Sequence, residues 1–387
     1  MSTFSVKVCK IRDIEPIANA DAIELAVIGD YRSIVKKGEY KAGDLAVFIP
    51  PNSIVPEWIL KQLNLWDYEN HKGKLASKTG NRVKEIRLRG VLSEGLIFSL
   101  KHTSSMNFYL MLEDGSEIPV KEGDDIAEVL GIVKWEPPIP ATFAGEVYNA
   151  GRDLTIAYDI ENFKNFPDVL RLGEEVVMTE KLHGTFCAIG ILPNKDWNEN
   201  HIRTKFVVFS KGLGSKGLCF KDNIKNQDNV YIKTLTELQI FEKLESFVNM
   251  IKNDGGVIDS PTFILGEVIG KGVQDLSYNV DKRDFRAFDM VVGYRGKQLY
   301  YDYDDMVQAC MAMGINSVPL IYRGPFSREV MLQYTSGKET ISGKNLHVRE
   351  GVVVKPVKER THIELGRVIL KSVNEDYLLR KGGTEYN

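Results

Sequence analysis

The segment Lys134-Trp135-Glu136-Pro137-Pro138-Ile139-Pro140 places three prolines within four positions. Each proline fixes φ and lacks a backbone donor, so neither a helix nor a central strand continues through the segment. The chain is expected to divide there, into residues 1–135 and residues 136–387. With 387 residues to fold, two cores of moderate size follow more naturally than one very large core.

Upstream of the prolines, short strand patterns recur at residues 4–8, 23–27, 45–49, 82–88 and 95–99, punctuated by Gly43-Asp44 and Pro50-Pro51. Short strands separated by turn residues predict a small, partly closed β-barrel. Residues 56–65, with Trp58, Leu60 and Leu65, can supply one covering helix.

Downstream, residues 174–179 and 185–192 read as strands on either side of Glu180-Lys181-Leu182-His183-Gly184, which puts Lys181 in a strand-turn-strand hairpin. A short helix is expected near residues 163–170. Leu235, Leu238, Phe241, Leu244 and Val248 make a helical stripe over residues 235–251. Strands are expected at 263–268, 285–292, 297–301 and 351–356, with a helix at 304–313. The fold class is α+β, the second unit being mixed and mainly antiparallel.

Four segments carry candidate chemistry. Lys181 lies in a turn between apolar strands; a lysine amine becomes a nucleophile once it loses its proton, which positive neighbours or partial desolvation favour. Gly184 removes side-chain bulk where a phosphate must come close. Glu267 stands among apolar residues in Leu265-Gly266-Glu267-Val268, and Phe288 in Phe285-Arg286-Ala287-Phe288-Asp289 presents either a stacking ring or a core aromatic. Arg349-Glu350-Gly351-Val352-Val353-Val354-Lys355-Pro356 enters an apolar strand with a carboxylate and leaves it with a cation, a pattern that a buried edge strand with charged ends shares. Lys371 follows Val368-Ile369-Leu370, as a phosphate contact or an ordinary strand-end charge.

Ser210-Lys211-Gly212-Leu213-Gly214-Ser215-Lys216-Gly217 combines glycines with lysines but lacks the Gly-Lys-Ser/Thr ending of a P-loop. It reads as a mobile surface loop or a secondary contact for ATP or RNA.

Composition excludes some classes. The 50 Lys and Arg against 53 Asp and Glu give a net charge of −3, so the chain is not uniformly basic, although a local basic groove remains open to it. Cys9, Cys187, Cys219 and Cys310 form no paired metal-ligand spacing, consistent with structural thiols in a reducing compartment. No apolar run approaches the roughly 20 residues that span a bilayer, and the start of the chain lacks a secretion signal. A soluble cytoplasmic or nuclear protein with no membrane partner is expected.

Taken in order, these segments resemble the covalent nucleotidyltransferase superfamily, which includes ATP-dependent DNA ligases, RNA ligases and RNA capping enzymes. Lys181-Leu182-His183-Gly184 is similar to the nucleophile motif, Leu265-Gly266-Glu267 to the ribose-side motif, residues 285–289 to the adenine-side aromatic motif, and residues 350–355 to the metal and phosphate motif. Lys371 stands as the terminal lysine. More narrowly, the chain resembles RNA ligases that carry an OB domain before the catalytic domain: Arg89-Gly90-Val91-Leu92-Ser93-Glu94-Gly95-Leu96 is similar to a segment of such OB modules, and Lys134-Trp135-Glu136-Pro137-Pro138 to the junction that follows them.

The resemblance implies an N-terminal OB-like RNA-binding barrel followed by a nucleotidyltransferase domain, ATP-grasp-like in class. It implies ATP as substrate, Mg²⁺ or Mn²⁺ as cofactor, and RNA with 3′-OH and 5′-phosphate ends as partner. By the same resemblance Lys181 becomes a lysine-AMP, Glu180 contacts adenine through its backbone atoms, Gly184 admits the phosphates, Glu267 holds the ribose and Phe288 stacks on the base. Glu350 supports the metal, Lys355 and Lys371 contact phosphate, and Arg203 matches an arginine between the nucleophile and ribose motifs. In the first domain Lys36, Lys37, Arg82, Lys84, Arg87, Arg89 and Tyr31 are candidate RNA contacts or solubilising surface residues. A monomer with no required protein partner is expected. One departure stands out: Ile369-Leu370-Lys371 has a single lysine where many ligases have a pair separated by one residue, which leaves Lys355 or Arg367 as candidates for the missing phosphate contact. DNA ligation, RNA capping and a non-catalytic RNA-binding relative remain alternatives at this level.

Overall fold

The computed structural model describes residues 4–102, 107–193, 196, 205–255, 259–276 and 278–384. They group into two compact units, Ser2–Glu136 and Pro137–Asn387.

In the first unit Leu45–Ile49 is flanked by Lys7–Lys10 and Leu96–Ser99 in an antiparallel sheet. Asp13–Pro16, Ile23–Ile28 and Tyr31–Lys36 make a second sheet. Alternation along the strands divides the apolar residues between two cores. Val8, Val47, Ile49 and Phe98 pack with Ile59 and Leu60 of the helix Glu57–Gln62, whereas Ala46, Phe48 and Ile97 pack with Ala26 and Ile28 of the second sheet. The Ser33 hydroxyl donates to the Glu94 carbonyl at 2.6 Å, and the Glu94 amide donates to the Arg32 carbonyl. These bonds join the sheets into the OB-like arrangement expected of short, turn-separated strands. Arg82 is occupied internally: its guanidinium lies 3.2 Å from the Trp135 ring centroid and donates to Asn52.

The second unit is built on two five-stranded sheets. The first runs Glu161–Asn162, Leu370–Val373, Gly351–Pro356, Glu175–Lys181, Leu320–Pro325; the second runs Phe206–Ser210, Thr185–Ile191, Thr262–Ile269, Asp284–Val292, Leu299–Tyr300. All pairings are antiparallel except that of Glu161–Asn162 with Leu370–Val373. Helices Val230–Glu237, Ile240–Asn253 and Tyr303–Met313 contribute Leu235, Leu244, Val248, Met306 and Cys310 to a core that covers Cys187, Ile189, Ile264 and Met290. Helix Arg328–Thr335 covers the first sheet through Met331. No helix among the described residues is long and apolar enough to cross a membrane.

Four local expectations are corrected. Glu175–Lys181 and Thr185–Ile191 do not form a hairpin: each is already flanked on both sides, and they belong to different sheets. The helix expected over 235–251 is two helices, because Gln239 takes a left-handed conformation with φ 55° and turns the chain between Leu238 and Ile240. The expected helix at 163–170 is a single 3₁₀ turn, Phe163–Asn165.

The glycine-lysine segment is the fourth case. It is not a loop but a short helix, Lys211–Lys216, closed by Gly217 at φ 81°. A Cβ on Gly214 would lie 2.5 Å from the Phe209 ring and 2.6 Å from the Ile156 carbonyl oxygen. That glycine serves helix packing, which a pattern of glycines and lysines does not distinguish from a phosphate cradle.

Candidate active site

Along Glu175–Lys181, Val176 and Met178 enter the core under helix Arg328–Thr335, and Val177 enters the core on the opposite face. Period-two alternation puts Lys181 on the Val177 face and Glu180 on the other. The register pairs Lys181 with Gly351, Thr179 with Val353, Val177 with Lys355, and Val353 with Lys371. Opposed residues share a face. Lys181, Lys355 and Lys371 therefore project from one side of the same sheet.

Lys181 ends its strand with its amine donating to Oε1 of Glu350. Leu182, His183 and Gly184 then carry the chain across to the second sheet. Gly184 must be glycine for a reason internal to the fold: a Cβ there would stand 2.2 Å from the Val268 carbonyl oxygen and 2.8 Å from Cγ of Glu267. At the other partner, a Cβ on Gly351 would meet the Ser372 carbonyl oxygen at 2.1 Å. Both close approaches are made by strands that deliver site residues, so the glycines draw Glu267 and Lys371 toward the Lys181–Glu350 pair.

Glu267 pairs with Phe186 on one side and Arg286 on the other. Burial pushes its carboxyl up to about 8, against the pull of Lys181 and with the push of Glu350. Lys371 is lowered to about 8, first by burial and then by the Lys211 ammonium, with Lys181 acting in the same direction. Lys211 is anchored by Asp159 at 2.7 Å. Three lysines and two carboxylates thus act on one another within a partly buried space, an arrangement suited to an anionic ligand with several charges.

Phe288 is delivered by an irregularity. Leu265 opposes Asp289 and Gly266 opposes Ala287, so Phe288 is the extra residue of a β-bulge, a feature that re-aims a side chain. Its ring lies 5.4 Å from that of Tyr158 and 6.0 Å from that of Phe186. Directly beneath, the Tyr158 hydroxyl donates to Asp289 at 2.6 Å.

Lys355 sits in this lower layer. Its amine donates to Asp289 at 2.8 Å and to Glu359 at 3.1 Å, and Arg367 makes paired 2.7 Å contacts with Asp289. Against the upward effect of burial, Arg367 and Lys355 hold the Asp289 carboxyl well below the usual carboxylate range. Lys355 is four residues along the sheet from Lys181 in register, about 13 Å at strand spacing, and its charge is matched within the protein.

Glu180 is buried, and its Oε2 accepts from the Thr340 amide at 3.0 Å and the Thr340 hydroxyl at 2.5 Å. Burial raises its carboxyl above the usual range. Arg203 lies outside the described residues. Asp289, Tyr158, Thr340, Asp275 and Tyr377 were not singled out from sequence, whereas Arg367, a candidate phosphate contact there, is engaged by Asp289 and Glu359. For Asp289 a signal existed, a carboxylate inside the apolar run 285–292; Asp275 and Tyr377 contact His183 from about 90 and 190 residues away, which no local pattern reveals.

The fold and the site define a covalent nucleotidyltransferase: a lysine against a carboxylate at the end of one sheet, with a second carboxylate and a bulged aromatic on the other. Residues 174–373, more than half of the chain, match the family model for RNA ligase, and the chain belongs to that family. Residues 5–100 match the model of the PHA02142 OB-fold domain. Among solved structures, a mutant of the Naegleria gruberi RNA ligase with ATP and Mn is similar at 22% identity and a TM-score of 0.72, covering 97% of this chain and 98% of that one. The same ligase with PPi is similar at 23% identity and a TM-score of 0.70, covering 96% and 97%. No curated protein matches the chain.

Proposed function

We propose that the chain is an ATP-dependent RNA ligase that joins 3′-OH and 5′-phosphate ends, with Lys181 as the covalent nucleophile. The observation that carries this reading is the Lys181 amine set against Glu350, with Lys371 on the same face of the sheet. Lys181 gives up a proton, for which Glu350 is the adjacent acceptor, and its nitrogen attacks the α-phosphorus of ATP. The bond to pyrophosphate breaks, leaving a lysine-AMP phosphoramidate. AMP passes to the 5′-phosphate of an RNA strand, and the 3′-OH of the other strand attacks that phosphate, expelling AMP.

Lys371 faces the phosphates and Phe288 supplies a ring for the adenine. Glu267 takes the ribose, since its mainly protonated carboxyl can donate as well as accept. Gly184 lines the nucleotide site, Glu180 reaches the adenine through its backbone while its side chain turns to Thr340 on the other face, and Lys355 supports the site through Asp289, the neighbour of Phe288. Arg203 is assigned to the nucleotide site by motif order alone.

The divalent ion is Mg²⁺ or Mn²⁺, the latter by likeness to the Naegleria ligase described with ATP and Mn. The donor set fits it: Glu350 offers a hard carboxylate oxygen, and no cluster of three or more His, Cys, Asp or Glu among the described residues could hold an ion alone. Such an ion is completed by phosphate oxygens and water, the usual manner of Mg²⁺. When bound it supplies charge stabilisation to the reacting phosphates.

The first unit offers Lys36, Lys37, Lys84, Arg87 and Arg89 to the RNA backbone and Tyr31 to a base. The enzyme is proposed to act as a monomer in the cytoplasm or nucleus, with no required protein partner. Matched RNA, DNA and hybrid nicks, each tested with ATP and GTP, decide the substrate. Sealing that needs ATP and favours RNA ends supports the proposal. Preferential sealing of all-DNA ends, or GTP transfer to a 5′-diphosphate RNA, overturns it in favour of DNA ligation or capping.

A further inference from the structure

Residues 374–384 reach the Glu350 backbone directly and, through His183, the segment that follows Lys181. On the Glu350 side, the Asn374 amide donates to the Glu350 carbonyl at 2.9 Å, and the Asn374 side chain donates to the Arg349 carbonyl at 3.1 Å. Asn374 also accepts from the Asp376 amide, capping the short helix Glu375–Leu378. That helix presents Tyr377 to the Lys181 side.

There the buried imidazole of His183 is held at both nitrogens. Nε2 lies 2.7 Å from Oδ1 of Asp275, and Nδ1 lies 2.7 Å from the Tyr377 hydroxyl. Asp275 is ionised: against the effect of burial, hydrogen bonds from Arg380 and Thr384 hold it well below the usual carboxylate range. A carboxylate only accepts, so Nε2 carries the proton, and Nδ1 accepts from Tyr377.

The same segment closes the arrangement from outside. The Thr384 amide donates to Asp275 at 2.8 Å and its hydroxyl lies 2.7 Å from the same oxygen. Thr384 also contacts Oε1 of Gln274 at 3.1 Å, while the Gln274 amide donates to the Gly184 carbonyl. Arg380 lies 3.8 Å from the Tyr377 ring centroid and 3.3 Å from Asp275. Lys181 is thereby bracketed on its downstream side, at His183 and at Gly184, by contacts that trace back to residues 377–384.

We propose that residues 374–384 form a positioning strap that fixes Lys181 relative to Glu350 and so sets the rate of self-adenylylation, with Tyr377 and Thr384 as its positioning residues. The proposal rests on Lys181 being the nucleophile. Its consequence is step-specific. A displaced lysine slows its own attack on ATP, because reacting groups must meet within a narrow geometry. The later attack of a 3′-OH on an already adenylylated strand does not use the amine.

Tyr377→Phe removes one oxygen from the contact with His183, and Thr384→Val removes the hydroxyl from Asp275 and Gln274. With the full chain, adduct formation is followed in single turnover with α-labelled ATP, and joining is followed separately with a 5′-adenylylated RNA strand and a 3′-OH acceptor. In both variants the saturating adduct rate is expected to fall by about tenfold or more, with the half-saturating ATP concentration and the joining of adenylylated RNA each within about twofold of the unmutated chain. Unchanged adduct rates overturn the strap, and so does a parallel loss of both steps accompanied by a lower melting temperature, which marks a merely structural role. An unmutated chain that forms no lysine adduct overturns the functional reading itself, and the strap with it.

Discussion

The Lys181 amine donates to Oε1 of Glu350 from an adjacent strand, in a register that pairs Lys181 with the neighbouring Gly351. Lys181 ends one strand and Glu350 immediately precedes its neighbour, Gly351–Pro356, so the two side chains reach each other without a tight turn. Glu350 is then both the partner that orients the amine and the nearest acceptor for its proton. Glu350→Ala is expected to lower the rate of lysine-AMP formation by about 10²-fold or more, with the fold retained. Stopped-time gels of the labelled adduct measure it, and a variant as fast as the parent contradicts the pairing.

Lys355 is expected to behave as a structural cation. It shares Asp289 with Arg367 in a buried network, and removing one member leaves the others unmatched. Lys355→Met should therefore lower unfolding free energy by about 3–5 kcal/mol, measured by urea denaturation. Unchanged stability with lost ATP affinity would instead place Lys355 on the phosphates.

Lys371 predicts an alkaline limit. Its amine is lowered to about 8 by burial and by Lys211, so its charge fades above that pH while an arginine would keep its own. The half-saturating ATP concentration should rise above pH of about 8 in the parent and stay flatter in Lys371→Arg. The linked stability term has the opposite slope: between about 8 and 10.5 the unfolded chain holds the proton that the folded chain has lost, so stability contributed by this group rises with pH. Identical alkaline profiles in parent and variant would remove Lys371 from the phosphate site.

Glu267 carries the reverse sign. Its folded value of about 8 lies above the ordinary 4.5, so the folded chain keeps a proton that the unfolded chain releases between those values, and stability falls as pH rises across them. Glu267→Gln cannot ionise and lacks this fall. Urea melts at several pH values should show the variant gaining stability relative to the parent from pH of about 4.5 to about 8; a constant difference contradicts the burial assigned to Glu267.

Much of the scaffold was legible in the sequence. Gly351–Pro356 matches its apolar run at both ends, and Tyr303–Met313 begins one residue before its expected start. What escaped was long-range pairing. The turn-like Lys181-Leu182-His183-Gly184 crosses between sheets instead of closing a hairpin, because strands distant in sequence occupy both edges of each neighbour. Gly184 was singled out for the close approach of a phosphate, and the group found close to it is the chain's own Val268 carbonyl. The ordered lysines and carboxylates were visible because each sits in a short apolar strand or, for Glu350, directly before one. The pairings of their supports, Asp289 with Lys355 and Tyr377 with His183, join remote segments and were not.

The most direct measurement is the fate of label from α-labelled ATP on the denatured protein, with Mg²⁺ or Mn²⁺ present. The unmutated chain should retain label in an acid-labile bond to Lys181, release it as labelled ATP when pyrophosphate is added before denaturation, and lose it entirely as Lys181→Ala. No retained label with either ion, or label that persists in Lys181→Ala, contradicts the assignment of Lys181 as the nucleophile.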